Sequence, residues 1–201
     1  MWTPQQIEAI CNFAKDRNFK VHMDGARIFN ASVAQNVDVR EFTRHVDTVM
    51  FCLSKGLSAP IGSLLLGERD FINRARRYRK MLGGGMRQAG IIAAPGIVAL
   101  ERMVDRLKDD HANAKMLAHG LANIRGISLK VSQVETNIII YDVSGLGVNA
   151  ERWVKGLQEF GVRAGAQEGG RVRMVTHRGI EREDIEYTLE VAEKLANQIR
   201  T

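Results

Sequence analysis

The segment VHMDGAR at residues 21–27 is the strongest evidence for the fold of this chain, together with FCLSKG at residues 51–56. In each segment an apolar, β-prone run ends in polar residues, which include Asp24 in the first and Lys55 in the second. The carboxyl ends of parallel strands meet at one edge of a sheet, where functional side chains gather. The two segments therefore predict an α/β protein with a carboxylate and a lysine in one pocket.

Helices and strands alternate around these segments, as in a mostly parallel sheet. Thr3, Pro4 and Gln6 form a predicted helix start with a capping box. Apolar residues at helical spacing then follow: Ile7, Ile10, Cys11 and Ala14. The pattern further predicts strands at 19–23, 47–53 and 61–66, a helix at 68–80, and a long helical region at 88–119 bent near Pro95 and Gly96. Residues 27–46 are a mixed stretch with no assigned element.

The second half of the chain has a different pattern. Residues 131–143 resemble a strand pair, residues 150–160 a helix, and residues 171–176 a strand, and a final helix has one apolar face. This compact α+β arrangement predicts a separate small domain. We therefore expect two domains, at residues 1–103 and 104–201.

The bulk composition is that of an ordinary globular chain. Of its 201 residues, 45% are hydrophobic and 26% charged. No apolar run approaches the ~18 residues of a membrane helix, and the start lacks a basic region followed by an apolar stretch, so neither a membrane span nor a secretory signal is expected. Two cysteines are too few for a disulfide framework, which favours a reducing cytoplasm. No metal-ligand set is predicted.

The net charge of +6 raises the question of nucleic-acid binding. Much of the excess lies in one predicted helix, at Arg69, Arg74, Arg76, Arg77, Arg79 and Lys80. Helices commonly carry such charge on a solvated or subunit-facing side. Because no aromatic platform, zinc spacing or helix-turn-helix pattern accompanies the cluster, we predict no nucleic-acid partner.

A lysine and a carboxylate in one pocket are what a pyridoxal phosphate enzyme requires, the lysine as Schiff base and the carboxylate to keep the pyridine nitrogen protonated. The order of the motifs, HMDGAR at 22–27 and then LSKG at 53–56, closely resembles the threonine aldolases. These are fold-type I pyridoxal phosphate enzymes of the β-eliminating lyase superfamily. The resemblance implies that 1–103 belongs to the large cofactor-binding domain and 104–201 to the small C-terminal domain.

The resemblance also implies roles for single residues. Lys55 is the expected Schiff-base lysine, with Cys52, Leu53 and Leu57 as an apolar wall. Asp24 is expected to pair with the pyridine nitrogen. Ser54 either donates to the cofactor phosphate or caps a turn, and these alternatives stay open.

Arginines are the expected anion ligands, because guanidinium binds a carboxylate through two parallel hydrogen bonds. Arg27 follows the Asp24 turn and can serve the cofactor or the substrate carboxylate. Arg173 lies in a strand that resembles the carboxylate-binding segment of the family, and Arg171, on the same face, is its rival. His177 is interpreted as a structural histidine rather than as a base. The role of His22 stays open, because strand alternation points it away from the face of Met23.

Residues 83–88 read GGGMRQ and resemble a further family segment. Backbone amides in such a turn can hold a phosphate, although a simple connector gives the same pattern. The resemblance implies that Arg87 binds near the phosphate of a neighbouring subunit, which requires a homo-oligomer, a dimer of dimers in the intact protein.

The resemblance covers only the later part of a family member. We expect an N-terminally truncated chain, without the family's glycine-threonine phosphate turn and ring-stacking histidine. Apolar surface around Val21 and Val49 is then expected to be uncovered, and the chain alone is expected to be inactive or weakly active.

The function implied by the resemblance is cleavage of threonine or allo-threonine to glycine and an aldehyde. One alternative is a β-eliminating lyase of the same superfamily, which shares the aspartate and the lysine but acts on another leaving group. A second is a non-catalytic fragment that serves only as an oligomerisation module.

Overall fold

The computed structural model describes residues 1–200, which hold eight α-helices and six β-strands. The chain divides into two units, Met1–Leu107 and Lys108–Thr201. Each unit contains its own three-stranded sheet. No helix in the described residues is long and apolar enough to cross a membrane.

The first unit alternates helices with short strands. Its elements are α1 (Pro4–Lys15), β1 (His22–Asp24), α2 (Ile28–Gln35), α3 (Val39–Thr43), β2 (Thr48–Cys52), β3 (Ser63–Gly67), α4 (Arg69–Met81) and α5 (Gly90–Arg102). The capping box predicted for α1 is confirmed: the Gln6 amide donates to the Thr3 hydroxyl at 3.2 Å, and the Thr3 amide donates to the Gln6 side chain at 2.9 Å.

The sheet of this unit has the order β1-β2-β3. Strands β1 and β2 are parallel, with His22 opposite Thr48 and Asp24 opposite Met50. Strand β3 pairs antiparallel with β2. The prediction of a mostly parallel sheet therefore holds for β1 and β2 and is wrong for β3, because the turn after Cys52 is too short for a parallel crossover.

Hydrogen bonds fix the parallel pair at both ends. At the start, Asp47 accepts from the Val21 amide at 2.9 Å and binds the Lys20 ammonium at 2.7 Å. This bond with Lys20 lowers the pKa of Asp47. At the end, the Gly25 amide donates to the Met50 carbonyl at 2.8 Å. The alignment of the two strand ends is thus set by several contacts outside the strands.

Two predictions for the helices of this unit are wrong. The stretch left unassigned at 27–46 forms α2 and α3, which are too short to show clear periodicity. The long helical region predicted at 88–119 is interrupted: Pro95 lies inside α5, and this helix ends at Arg102. This break lets Leu107 fold back into the same apolar core as Ala99.

Strand β3 has an exposed apolar surface. Leu64, Leu65 and Leu66 are 39%, 41% and 43% exposed, so neither face of this strand is covered within its unit. The expectation of uncovered apolar surface around Val49 is wrong, since Val49 lies in the central strand and is 7% exposed. The uncovered surface of the sheet lies on β3 instead.

The second unit packs helices on an antiparallel sheet of order β4-β6-β5. Its elements are α6 (Leu107–Ala122, with Leu107 in the first unit), β4 (Ile138–Asp142), α7 (Ala150–Glu159), β5 (Gly165–Ala166), β6 (Arg171–Val175) and α8 (Arg182–Arg200). The predicted strand pair at 131–143 is wrong: a 3₁₀ turn at Val131–Gln133 precedes β4 alone. Strand β4 pairs with the distant β6, so no hairpin forms.

The core of the second unit is centred on two aromatic side chains. Trp153 of α7 and Tyr141 of β4 are buried, and the Trp153 indole donates to the Tyr141 hydroxyl at 3.0 Å. Burial raises the pKa of Tyr141 far above its usual value, so the phenol stays neutral. The core holds β4 and β6 against α7 and thereby positions the side chains on the other face of β6.

A buried histidine makes the stability of the second unit depend on pH. Burial lowers the pKa of His111 in α6 from its ordinary value of 6.5. The unfolded chain then binds a proton at a pH where the folded chain does not, so stability is lost as pH falls through about 6.5. We expect the free energy of unfolding in urea to fall between about pH 7.5 and 5.

His111→Gln should flatten this slope, whereas the same change at the exposed His119 of α6 should leave it as in the original chain. Equal slopes in the His111→Gln variant and the original chain would contradict the assignment.

Candidate active site

The parallel pair brings two candidate residues to one edge of the first sheet. Asp24 is the last residue of β1, and Lys55 follows the end of β2 by three positions. Because Asp24 pairs with Met50, both chains leave the sheet at the same end. Both segments therefore end at one edge of the sheet.

The turn after β1 depends on Asp24 and Gly25. The Asp24 carboxylate is exposed and accepts a hydrogen bond from the Ala26 amide at 3.0 Å. Gly25 is buried, and a Cβ there would lie 2.9 Å from the Met50 carbonyl oxygen and 3.3 Å from Val49. The glycine therefore allows the turn to pass close to β2 while Asp24 stays accessible.

A cavity of about 430 Å³ lies beside this turn. Asp24 and Arg27 both line it, and most of its remaining wall is apolar, with Val21, Ile28 and Phe42 among its residues. Arg27 is half-buried at the N-cap of α2. Two of the predicted site residues therefore share one cavity, while Lys55 lies outside it.

The segment 53–62, here called the lysine loop, is held by its own backbone. The Leu53 amide donates to the Gly62 carbonyl at 2.9 Å, the Ser58 amide to the Lys55 carbonyl at 2.9 Å, and the Ala59 amide to the Leu53 carbonyl at 3.0 Å. The bond between Ser58 and Lys55 closes a tight turn at Lys55, and the other two bonds close the loop at its base. The loop is thus an ordered structure on which the lysine is presented.

Lys55 itself is exposed. The apolar wall expected around it is wrong for this chain, because Leu53 and Leu57 are buried in the core beneath the loop. The alternatives for Ser54 differ in their support. Its hydroxyl donates to the Gly62 carbonyl at 3.5 Å, a long contact that favours the turn role.

Asn30 is a residue that the sequence analysis missed. It lies in α2 one turn after Arg27 and is 3% exposed. The signal was present, since Asn30 is a polar residue inside the otherwise apolar helix start IFNA. A buried asparagine needs hydrogen-bond partners, which makes such a position informative.

The glycine triplet at 83–85 ends α4. The Gly83 amide donates to the Lys80 carbonyl at 3.1 Å and the Gly84 amide to the Arg79 carbonyl at 2.8 Å. These two amides satisfy helix carbonyls. Arg87 is exposed in the segment between α4 and α5. The structure of the unit therefore places Arg87 on the surface.

In the second unit, the two rival arginines lie on the same face of β6 but have different surroundings. Val172 and Met174 are buried on one face, so Arg171 and Arg173 lie on the other. Arg171 donates through Nε to the Glu168 carbonyl at 3.1 Å, within the turn between β5 and β6. Arg173 is half-buried and lines a cavity of about 410 Å³.

This second cavity is rich in positive charge. Arg163, Gln167 and His177 line it together with Arg173. Gly165 of β5 lies opposite Arg173 and has no side chain to cover it. The cavity therefore has the chemistry of an anion site.

The two histidines of interest make structural contacts. His177 Nδ1 lies 2.8 Å from the Arg178 carbonyl oxygen, and His22 Nδ1 lies 2.8 Å from the Thr48 hydroxyl. The end of β6 before His177 is further fixed, because the buried Thr176 hydroxyl donates to the Asp110 carbonyl at 2.6 Å. The contacts of His177 agree with its structural interpretation.

The fold of this chain is shared with a solved structure. A solved structure of a threonine aldolase from Leishmania major superposes with a TM-score of 0.74 at 17% identity, and the match covers 98% of this chain and 57% of that one. A likeness at this identity establishes the fold alone.

A family model described as beta-eliminating lyase matches residues 1–144, and the chain belongs to that family. It is 44% identical over 192 residues to a probable low-specificity L-threonine aldolase of Arabidopsis thaliana, which covers 95% of this chain and 54% of that relative. It is 44% identical over 181 residues to the low specificity L-threonine aldolase of Escherichia coli K12, with 90% and 52% covered. The chain thus spans about half the length of these relatives.

Proposed function

We propose that this chain carries the central residues of a pyridoxal phosphate enzyme that cleaves threonine or allo-threonine to glycine and an aldehyde. The parallel pairing of β1 with β2 is the observation that carries the proposal, because it brings Asp24 and the lysine loop to one sheet edge. The names of the relatives supply the reaction.

The residues at this edge fit the cofactor chemically. An exposed amine at Lys55 is accessible to an aldehyde, and an exposed carboxylate at Asp24 is accessible to a protonated ring nitrogen. The Asp24 turn is rigid, because Gly25 packs against β2. When bound, pyridoxal phosphate supplies the electron sink that takes up the bonding pair of the broken Cα–Cβ bond.

Each residue then has a defined task. Lys55 would hold the cofactor through its amine. The negative charge of Asp24 would favour a protonated ring nitrogen. Arg27, on the cavity wall beside Asp24, would serve the ring hydroxyl or the substrate carboxylate. Arg87 would serve the phosphate, and Ser54 would either donate to the phosphate or cap the turn to Gly62. In the overall reaction the β-hydroxyl loses its proton, Cα–Cβ breaks, and Cα gains a proton to give glycine.

Arg173 is our choice for the substrate carboxylate. Its guanidinium lines a cavity, whereas that of Arg171 is engaged with the Glu168 carbonyl. A planar guanidinium binds a carboxylate through two parallel bonds, which fixes the orientation of the substrate.

A homo-oligomer is part of the proposal. The three exposed leucines of β3 and the exposed Met81, Leu82 and Ile91 at the ends of α4 and α5 are apolar side chains that favour burial. Since the chain spans about half the length of its relatives, either further residues or another subunit are suited to cover this surface. We propose that full activity requires this cover.

Covalent labelling tests the role of Lys55. Pyridoxal phosphate followed by borohydride should attach to Lys55 in preference to Lys80, which is also exposed, and Lys20, which is paired with Asp47. Peptide mass spectrometry measures the attachment at each lysine, and Lys55→Ala is the control. Preferential attachment at another lysine contradicts the assignment.

Product analysis of the same protein separates the two enzyme classes, because glycine and acetaldehyde from threonine indicate an aldolase. Release of ammonia and a keto acid from a substrate with a β-leaving group would instead favour the β-eliminating lyase.

The two arginines of β6 are separated by matched substitutions. Arg173→Lys should raise the Michaelis constant for threonine by about tenfold or more, because a point charge cannot replace the two-pronged guanidinium. Arg171→Lys should change it little. Initial rates against threonine concentration give both values. A large effect from Arg171→Lys with none from Arg173→Lys would mean that the wrong arginine was chosen.

A further inference from the structure

Asn30 is the one buried polar side chain within the described residues of the first unit. It lies in α2, whose first turn follows directly from the segment with Asp24 and Arg27. Burying an amide is unfavourable unless its polar atoms are bonded, so a helix facing an apolar core normally carries an apolar residue there. The position therefore calls for a reason other than packing.

The Asn30 amide lies directly beneath the lysine loop. A Cβ added to Gly56 would come within 3.0 Å of Asn30 Oδ1 and 3.6 Å of Asn30 Nδ2. On the other side, the same Cβ would lie 2.9 Å from Leu107 Cδ2. Gly56 is buried and follows Lys55 directly. The backbone next to the lysine is thus enclosed between one polar and one apolar side chain.

We propose that Asn30 is a positioning residue, which holds the lysine loop against α2 so that Lys55 and Asp24 keep a fixed relative placement. The inference rests on the proposed function in that Lys55 is taken as the cofactor lysine. Helix α2 begins at the turn after Asp24, and the amide of its residue Asn30 lies beside Gly56 in the loop after β2. The strand pairing aligns the two chain segments, and Asn30 fixes the part of the lysine loop that extends beyond the paired residues.

A polar side chain suits this place better than an apolar one of equal size. Some backbone groups of the lysine loop are bonded within the loop itself. The Ser58 hydroxyl, for example, donates to the Gly56 carbonyl at 3.3 Å. Backbone polar groups without strand partners are stabilised by side-chain amides. Leucine in place of Asn30 keeps the branched shape of the side chain but removes the amide beside Gly56.

The test compares Asn30→Leu with Phe42→Leu in the 201-residue chain. Phe42 is buried in the same core, so its substitution lowers the stability of the unit without changing the contact at Gly56. Hydrogen exchange of the Leu53, Ser58 and Ala59 amides measures the order of the loop, because all three are hydrogen-bonded within it. We expect at least about tenfold faster exchange in Asn30→Leu than in Phe42→Leu, as for a lost buried hydrogen bond.

The second readout is the preference of pyridoxal phosphate and borohydride for Lys55 over Lys80. Asn30→Leu should lower this preference several-fold, and Phe42→Leu should keep it. Equal loss in both variants, or no change of exchange in Asn30→Leu, overturns the inference and leaves Asn30 a merely structural residue.

The two readouts also distinguish the failure of the inference from that of the proposed function. If the unsubstituted chain shows no preference for Lys55, the proposed cofactor lysine is wrong, and the inference in its stated form is overturned with it. If the preference is present in the unsubstituted chain and unchanged in Asn30→Leu, the proposed function stands and the inference alone is overturned.

Discussion

The parallel pairing of β1 with β2 is the constraint on which the candidate site depends. Strand β1 has three residues, which are too few to define a register by themselves. Asp47 therefore holds the start of the pair through Val21 and Lys20, and the Gly25 amide holds its end through Met50. A shift by one residue would turn every side chain of β1 to the opposite face. The contacts outside the strands exclude that shift and so place Asp24 at the edge.

The sequence contains enough information for this part of the structure. The residues DG after an apolar run predict a strand end and a turn, and the structure has β1 and an Asp24 turn there. The capping box of α1 and the apolar face of α8 are local patterns, and both helices are present. Where an element is determined by neighbouring residues, its pattern is sufficient to predict it.

The wrong predictions have a common physical cause. Each concerns a feature that depends on contacts with residues far away in the chain. Strand β4 has no hairpin partner because β6 takes that place. The helix break after Arg102 follows from the burial of Leu107 in the core of the first unit. Lys55 is exposed because its apolar neighbours turn inward, which no local pattern reveals. The polar position of Asn30 in the helix start is visible in the sequence, but its place beside Gly56 of another segment is not.

The most direct test of the account is whether Asp24 and Lys55 act on one cofactor molecule. Asp24→Asn keeps an oxygen for the Ala26 amide but removes the negative charge. Pyridoxal phosphate titrated into this variant should therefore bind Lys55 with at least about tenfold lower affinity and show an altered visible spectrum. Asp70→Asn in the exposed first turn of α4 is the matched control. An affinity and a spectrum in Asp24→Asn equal to those of the control would contradict a shared site at this sheet edge.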